Sequence, residues 1–165
     1  MIYVGSFSKT MLPTLRLGFT VLPPSLRDAA QCAKYVTDWH TSGPAQAALA
    51  SFIDDGGFAR HLRKMNMTYR ARHELLSTIL ARDFSDQLEV IPSAAGLHVT
   101  AIARRLSVEQ LSEVVRRASA AGVEVQQLSA FAFSQPAQAG LVLGYGAISI
   151  EHIEDGLQRL RSCFR

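Results

Sequence analysis

Tyr3-Val4-Gly5-Ser6-Phe7-Ser8-Lys9-Thr10-Met11-Leu12-Pro13-Thr14-Leu15-Arg16-Leu17-Gly18-Phe19 is the stretch on which the reading of this chain turns. An apolar run ends in a serine-rich turn, a lysine follows, and an arginine stands seven positions further on. These residue types suit a phosphorylated aldehyde. An amine condenses with the aldehyde, while the phosphate dianion needs hydroxyl donors and a cation. Ser6 and Ser8 can donate to phosphate oxygens while occupying little volume. Arg16 carries a permanently charged fork that matches two oxygens at once. Gly18 permits a close backbone approach or an unusual dihedral where the chain turns into Phe19-Thr20-Val21-Leu22. A plainer reading makes Lys9 a solvated loop lysine and Arg16 a surface charge.

The cofactor that matches this chemistry is pyridoxal 5′-phosphate (PLP), with Lys9 as its Schiff-base lysine and Ser6, Ser8 and Arg16 at its phosphate. Further motifs follow in order: Gly43-Pro44 … Gln46 … Leu49 … Phe52-Ile53, then Arg60-His61-Leu62-Arg63-Lys64-Met65 with Tyr69 and Arg72, then Gly96-Leu97-His98 and Leu143-Gly144-Tyr145. Together with Gly5-Ser6-Phe7-Ser8-Lys9-Thr10, Leu12-Pro13 and Leu15-Arg16-Leu17-Gly18, they run through nearly the whole chain. The pattern resembles fold-type I, aspartate-aminotransferase-like PLP proteins. Within them it looks most like the effector domains of MocR/GabR-like regulators of the GntR family.

The resemblance implies an α/β chain forming the C-terminal part of the PLP-dependent transferase fold. Residues 1–83 would be the end of the large PLP-binding domain, with the cofactor-lysine loop and a long linking helix. Residues 84–165 would be the small C-terminal α/β domain. In such relatives the large domain precedes the lysine. It brings a glycine-rich phosphate turn, an aromatic against the ring and an Asp for the pyridine nitrogen. PLP acts as an electron sink when that nitrogen stays protonated, which a buried carboxylate enforces. No Asp or Glu stands before Asp28, so one copy of this chain alone is expected to show little or no catalysis. Relatives that act on amino acids also place an arginine near the strand corresponding to Gly140-Leu141-Val142-Leu143-Gly144-Tyr145, to clamp the substrate carboxylate. Between Ser134 and Glu151 this sequence has no Arg or Lys.

The first functional expectation is a PLP-binding effector domain of a GntR/MocR-type transcriptional regulator. It would sense an amine or amino-acid-like small molecule through a Lys9–PLP aldimine, as a cytoplasmic homodimer. DNA would be reached only through an N-terminal winged-helix domain outside these residues. The second is a fragment of a class I/II aminotransferase, in which Lys9 also moves the proton between substrate Cα and cofactor C4′. The third is a non-catalytic folding or dimerisation fragment.

Composition narrows the field further. With 165 residues, 48% hydrophobic and 19% charged, the chain can bury a real core. Its 17 Lys and Arg are spread without a dense patch, and a net charge of +3 does not argue for nucleic acid. Cys32 and Cys163 lie far apart outside any Cys-x-x-Cys motif and read as two reduced thiols. His40, His61, His73, His98 and His152 show no metal-ligand spacing; His61 and His98 read as packing or hydrogen-bonding residues. Neither a signal peptide nor a membrane-spanning run is indicated.

The remaining elements follow from periodicity and punctuation. Strands are expected at residues 2–4 and 17–22, the second stopped by Pro23-Pro24, with Ser25 capping a helix over residues 26–36. Trp39-His40-Thr41-Ser42-Gly43 forms a loop before a helix starting near Pro44. The resemblance implies that this loop borders the active site across the dimer as a ligand or subunit contact; the alternative is that Trp39 merely fills a hydrophobic gap. A long helix over residues 58–83 carries Leu62, Met65, Tyr69, His73, Leu76 and Leu80 as its core stripe. Arg60, Arg63, Lys64, Arg70 and Arg72 form its solvated face. Strands at 88–91 and 96–102 flank a turn at 92–95. Ser107 and Gln110 form a capping box for a helix ending near Gly122. Residues 123–125 and 140–145 read as strands. Ser149 is expected to cap a last helix with Ile150, Ile153, Leu157, Leu160 and Phe164 inward. Residues 128–139 read as a loop whose Phe131 and Phe133 close over a pocket or serve as anchors.

Overall fold

Tyr3, Val4, Phe19 and Val21 are β-forming residues separated by a turn-rich stretch, and they pair. A computed structural model of the chain describes residues 1–93, 96–133 and 138–165. In it β1 (Tyr3–Ser6) and β2 (Gly18–Val21) form an antiparallel ribbon, with Tyr3 opposite Val21 and Ser6 opposite Gly18. The chain divides into two compact units, Met1–Met65 and Asn66–Arg165.

The first unit continues from the ribbon into α1 (Arg27–Asp38), α2 (Gly43–Asp54) and the start of α3 (Gly57–Asp83). Ser25 does not cap α1. The two prolines instead set a 3-10 turn over Pro24–Leu26, and α1 begins after it with no side-chain cap. Ser42 does cap α2, its hydroxyl accepting from Ala45 N–H at 3.4 Å, with Pro44 in the first turn where its missing N–H costs nothing. Every residue of α1 is exposed apart from the half-buried Ala30. Leu17 and Leu49 are the buried hydrophobics of this unit among the described residues.

The second unit is built on a four-stranded antiparallel sheet, ordered Leu88–Ile91, His98–Ala103, Gly140–Gly144, Gln126–Gln127 (β3-β4-β6-β5). β3 (Leu88–Ile91) matches its expected span, β4 covers His98–Ala103, and β6 covers Gly140–Gly144. Val99 and Ala101 of β4 face inward beside Leu143 and Leu141 of β6, their register partners. The period-two alternation of the sequence is thus realised as one buried sheet face. The C-terminal half of α3 supplies Leu76, Ile79 and Leu80. α4 (Val108–Ala120) adds Leu111, Val114 and Ala118, and α5 (Ile153–Ser162) adds Ile153, Leu157 and Leu160. With Phe84, Leu88, Tyr145 and Cys163 they close a single core. The class is α/β, as expected.

The ends of α4 follow their sequence signals. Ser107 Oγ accepts from Gln110 N–H at 3.2 Å, and the Gln110 side chain accepts from Ser107 N–H at 2.9 Å. At the other end Val123 N–H reaches back to the Ala118 carbonyl at 2.8 Å and Gly122 N–H to Ser119 at 2.9 Å. This Schellman closure places Gly122 at φ +79°, where a side chain would be strained.

Other expectations are corrected. The strand of residues 123–125 falls instead at β5 (Gln126–Gln127), because Val123 is spent on closing α4 and pairing starts only at Gln126 opposite Val142. Ser149 caps no helix through its side chain. A 3-10 turn over Ile150–His152 precedes α5, its hydroxyl turns to Glu151, and Ile150 is left exposed. Phe131 and Phe133 are exposed rather than anchored; residues 134–137 of that loop, and 94–95 of the turn before β4, lie outside the described residues. Arg72 leaves the solvated face of α3. Its guanidinium donates to the Gly146 carbonyl at 2.7 Å and lies 5.9 Å from the Tyr69 ring centre.

Candidate functional site

The ribbon does not end with its strands. Phe7 N–H donates to the Leu17 carbonyl at 3.1 Å, carrying the ladder one step past Ser6 and Gly18 into the turn. Gly18 is required there, since a Cβ would stand 2.8 Å from the Gly5 carbonyl oxygen. The Phe7 ring packs at 5.4 Å from Phe19 and 5.8 Å from Phe58, edge-on to the latter. Leu17, whose carbonyl accepts the Phe7 N–H, is buried. The base of the turn is therefore held by apolar contacts, and its polar residues are left at the rim.

Within the turn, Met11 N–H donates to the Phe7 carbonyl at 2.8 Å, and Ser8 N–H donates to Ser6 Oγ at 3.1 Å. Accepting that bond leaves the Ser6 hydroxyl proton free to donate outward. Pro13–Leu15 form a 3-10 turn that ends at Arg16, a non-glycine residue in the left-handed region at φ 52°. Such a conformation costs of order 1 kcal/mol and persists only where its surroundings enforce it. From the first turns of α3, the His61 ring N–H donates to the Thr10 carbonyl at 2.9 Å. His61 is thus a hydrogen-bonding residue, as expected.

The four expected cofactor residues are distributed unevenly. Ser6 and Ser8 are joined directly. Arg16 and Gly18 line a pocket of about 400 Å³ together with Lys34, Asp38, His40, Thr41 and Ser42, whereas Ser6, Ser8 and Lys9 are not part of its lining. Lys9 is exposed and makes no hydrogen bond or ion pair among the described residues. The chain has three lysines, and the other two are engaged. Lys34 donates to Asp38 at 2.5 Å and to Thr41 at 2.6 Å, and Lys64 has a partner. Arg16, too, meets no carboxylate among the described residues. His40, Thr41 and Ser42 belong to the loop expected as a ligand or subunit contact, whereas Lys34, on α1, carries no sequence signal for binding. Trp39, in that loop, is 64% exposed at φ 50° and packs edge-on to Tyr35, so it fills no gap.

This donor set fits an anionic, aldehyde-bearing group such as PLP at its phosphate and at its reactive carbon. Two hydroxyls and an unpaired guanidinium suit phosphate oxygens, and an unpaired amine suits the aldehyde. No carboxylate stands in residues 1–27 to hold a ring nitrogen. Among the described residues no cluster of three or more His, Cys, Asp or Glu could hold a metal, and no helix is long and apolar enough to cross a membrane. Cys32 and Cys163 are free thiols.

Comparison with known proteins places these features. Residues 1–159 match the family described as aminotransferase class I and II. The probable rhizopine catabolism regulatory protein MocR of Rhizobium meliloti is 37% identical over 163 residues, covering 99% of this chain and 33% of that protein. The uncharacterized HTH-type transcriptional regulator YhdI of Bacillus subtilis is 31% identical over 163 residues, covering 99% of this chain and 34% of that protein. Among solved structures, LysN, the α-aminoadipate aminotransferase of Thermus thermophilus complexed with N-(5′-phosphopyridoxyl)-L-leucine, superposes with a TM-score of 0.85 at 27% identity. That match covers 99% of this chain and 41% of LysN. The chain spans about a third of the length of the curated relatives it matches, 33% and 34% of these two.

Proposed function

The chain belongs to the aminotransferase class I and II family, and from that premise we propose that it is the C-terminal part of the PLP-binding effector domain of a GntR/MocR-type transcriptional regulator. The observation that carries this reading is the 37% identity to MocR over 99% of the chain. The 31% identity to a second HTH-type regulator over the same share supports it. In this reading residues 1–83 end the large domain and residues 84–165 form the small one. DNA contact belongs to a winged-helix module outside these 165 residues, and the protein works as a cytoplasmic homodimer.

Lys9 is the covalent anchor for PLP, while Ser6, Ser8 and Arg16 hold its phosphate. When bound, PLP supplies an electrophilic carbon that exchanges one amine for another. That chemistry suits a sensor of an amine or amino-acid-like ligand. Each residue has a defined part. Arg16 fixes the anionic end by charge and a two-pronged hydrogen bond, and the serine pair orients it. Lys9 offers an amine with no competing partner among the described residues. His61 keeps the turn in register by holding the Thr10 carbonyl. A ligand held at this turn would change the contacts that Lys9, the serine pair and Arg16 make, and only such a differential contact can shift a conformational equilibrium.

A second reading, part of a class I/II aminotransferase, is favoured by the likeness to LysN. The lack of any Arg or Lys between Ser134 and Glu151 weighs against it, since nothing on that segment can clamp a substrate carboxylate by charge. The test is spectroscopic. With PLP added, an absorbance band near the visible edge is expected that disappears in Lys9→Ala. Regulator function predicts that an added amine shifts the band without releasing a keto acid. Keto-acid release would favour the aminotransferase, and a band that survives in Lys9→Ala would overturn the assignment of Lys9.

A further inference from the structure

One face of α3 is only partly absorbed by the core of the second unit: Tyr69 packs against that core, while Asn66, Arg70 and Glu74 stay exposed. Asn66, Tyr69, Arg70, His73 and Glu74 recur at three- and four-residue steps and line a cleft of about 550 Å³ within that unit. A space of that size falls in the range of small-molecule sites, roughly 300–1,000 Å³. Tyr145 forms its opposite wall. That wall is fixed: the phenol donates to the Gly96 carbonyl at 2.8 Å, and Tyr145 N–H donates to the Leu97 carbonyl at 2.9 Å. The His73 ring meets the Tyr145 ring edge-on at 5.6 Å.

The charges along this face are in an unusual state. Arg70 and Glu74 are four residues apart on one helix, a spacing at which opposite charges ordinarily attract across the surface. Here no ion pair joins them, and neither has a hydrogen bond or ion-pair partner among the described residues. The Asn66 amide and the His73 ring nitrogens are likewise without hydrogen bonds there. A cation, a carboxylate, an amide and an imidazole therefore line one cleft with their hydrogen-bonding capacity unspent. An anion alone would meet Arg70 but also face Glu74, and a cation alone would meet Glu74 but face Arg70. A ligand carrying both charges avoids either repulsion.

The geometry points to a binding site in this cleft for a compact zwitterion, with its carboxylate on Arg70, its ammonium on Glu74, and the Tyr69 and His73 rings flanking the carbon chain between them. Its lining shares no residue with the Lys9 turn, and the site does not depend on the cofactor reading. A molecule with a single charge leaves one of the two side chains opposed, so it binds less well.

The test uses β-alanine as the zwitterion, with propionate and ethylamine as its single-charge halves, and follows backbone amide shifts of the whole chain. β-Alanine is expected to give saturable shifts at residues 66–74 and at Gly96 and Tyr145, with each half-molecule at least about tenfold weaker. Arg70→Gln and Glu74→Gln each remove one charged contact and should weaken β-alanine by about tenfold. Both side chains are exposed, so the fold is kept, which circular dichroism checks. The swapped variant Arg70→Glu with Glu74→Arg should restore binding, and Lys9→Ala should leave it unchanged. Absence of saturable shifts, or equal affinity in wild type and both single variants, overturns the site. Loss of binding in Lys9→Ala also overturns it, because the ligand would then sit at the cofactor turn, an outcome that leaves the proposed function standing.

Discussion

Residues 66–165 close seventeen buried side chains into one core, whereas residues 1–65 bury Leu17 and Leu49 and leave Ile2, Val4, Phe19, Val21, Val36 and Trp39 exposed. Charge divides along the same line. The first unit has seven Lys and Arg against four Asp and Glu, and the second has ten against ten, so the whole net charge of +3 sits in the first. The unit that carries the cofactor turn is thus the one with little interior of its own. Its apolar side chains hold hydrophobic free energy that they do not gain from each other. The second unit has the opposite character: a saturated core, a balanced charge and, in α4, a helix closed at both ends by its own residues. Stability and the candidate cofactor turn are lodged in different parts of the chain.

The sharpest break of this contrast would come from hydrogen exchange. Amides of β4, β6 and α4 should exchange only with global unfolding, a free energy of about 5–15 kcal/mol in small domains, while those of α1 should open at a cost near zero. Equal protection in α1 and β4 would abolish the distinction. Side-chain deletion comes next. Phe84, 1% exposed, should cost about 3–5 kcal/mol on Phe84→Ala in urea unfolding, whereas Leu17→Ala should cost no more than about 2 kcal/mol. A reversal of that order would mean that the first unit is the better packed.

Smaller changes sharpen the picture within the second unit. Arg72→Met removes the charged donor from the Tyr145 and Gly146 carbonyls and should lower stability by about 1–3 kcal/mol; an unchanged midpoint would show those bonds to be idle. Ser107→Ala opens the capping box and should cost about 1 kcal/mol, read as a lower thermal midpoint with helix content otherwise kept. The smallest effect concerns Glu113. Hydrogen bonds from the Arg116 and then the Arg117 guanidinium hold its carboxyl down from 4.5 to about 2. Because the folded value is depressed, its contribution is present above pH 4.5 and is lost as pH falls toward 2. The pair is solvent-exposed and screened, so Glu113→Gln should flatten the acid limb of the stability curve only slightly. A steeper limb in the variant would contradict the sign.

Much of this was legible because local chemistry decided it. Ser107 and Gln110 satisfy the first amides of α4 whatever surrounds them, and the short β-forming run Leu88 to Ile91, stopped by Pro92, is enough to place β3. The errors share a different cause. Ser25 and Ser149 look like helix caps, but Ser25 lies inside the 3-10 turn Pro24–Leu26 and Ser149 precedes the one at Ile150–His152, and neither side chain caps the helix that follows. Val123 and Val125 have strand composition, yet closing α4 consumes the first of them. Arg72 could not be told from its charged neighbours by periodicity; its partners are carbonyls seventy-three and seventy-four residues away. The cofactor turn was visible as residue types, while the His61 bond to Thr10 and the pocket beside Arg16 depend on elements distant in sequence.

The central claim is that Lys9 stands apart from the other two lysines as the amine that takes up an aldehyde cofactor. Incubation with PLP, reduction with borohydride and peptide mapping tests it directly, because Lys9, Lys34 and Lys64 are the only lysines present. The label should concentrate on Lys9, and Arg16→Gln should cut that preference. A label spread evenly over the three lysines, indifferent to Arg16, would contradict the claim.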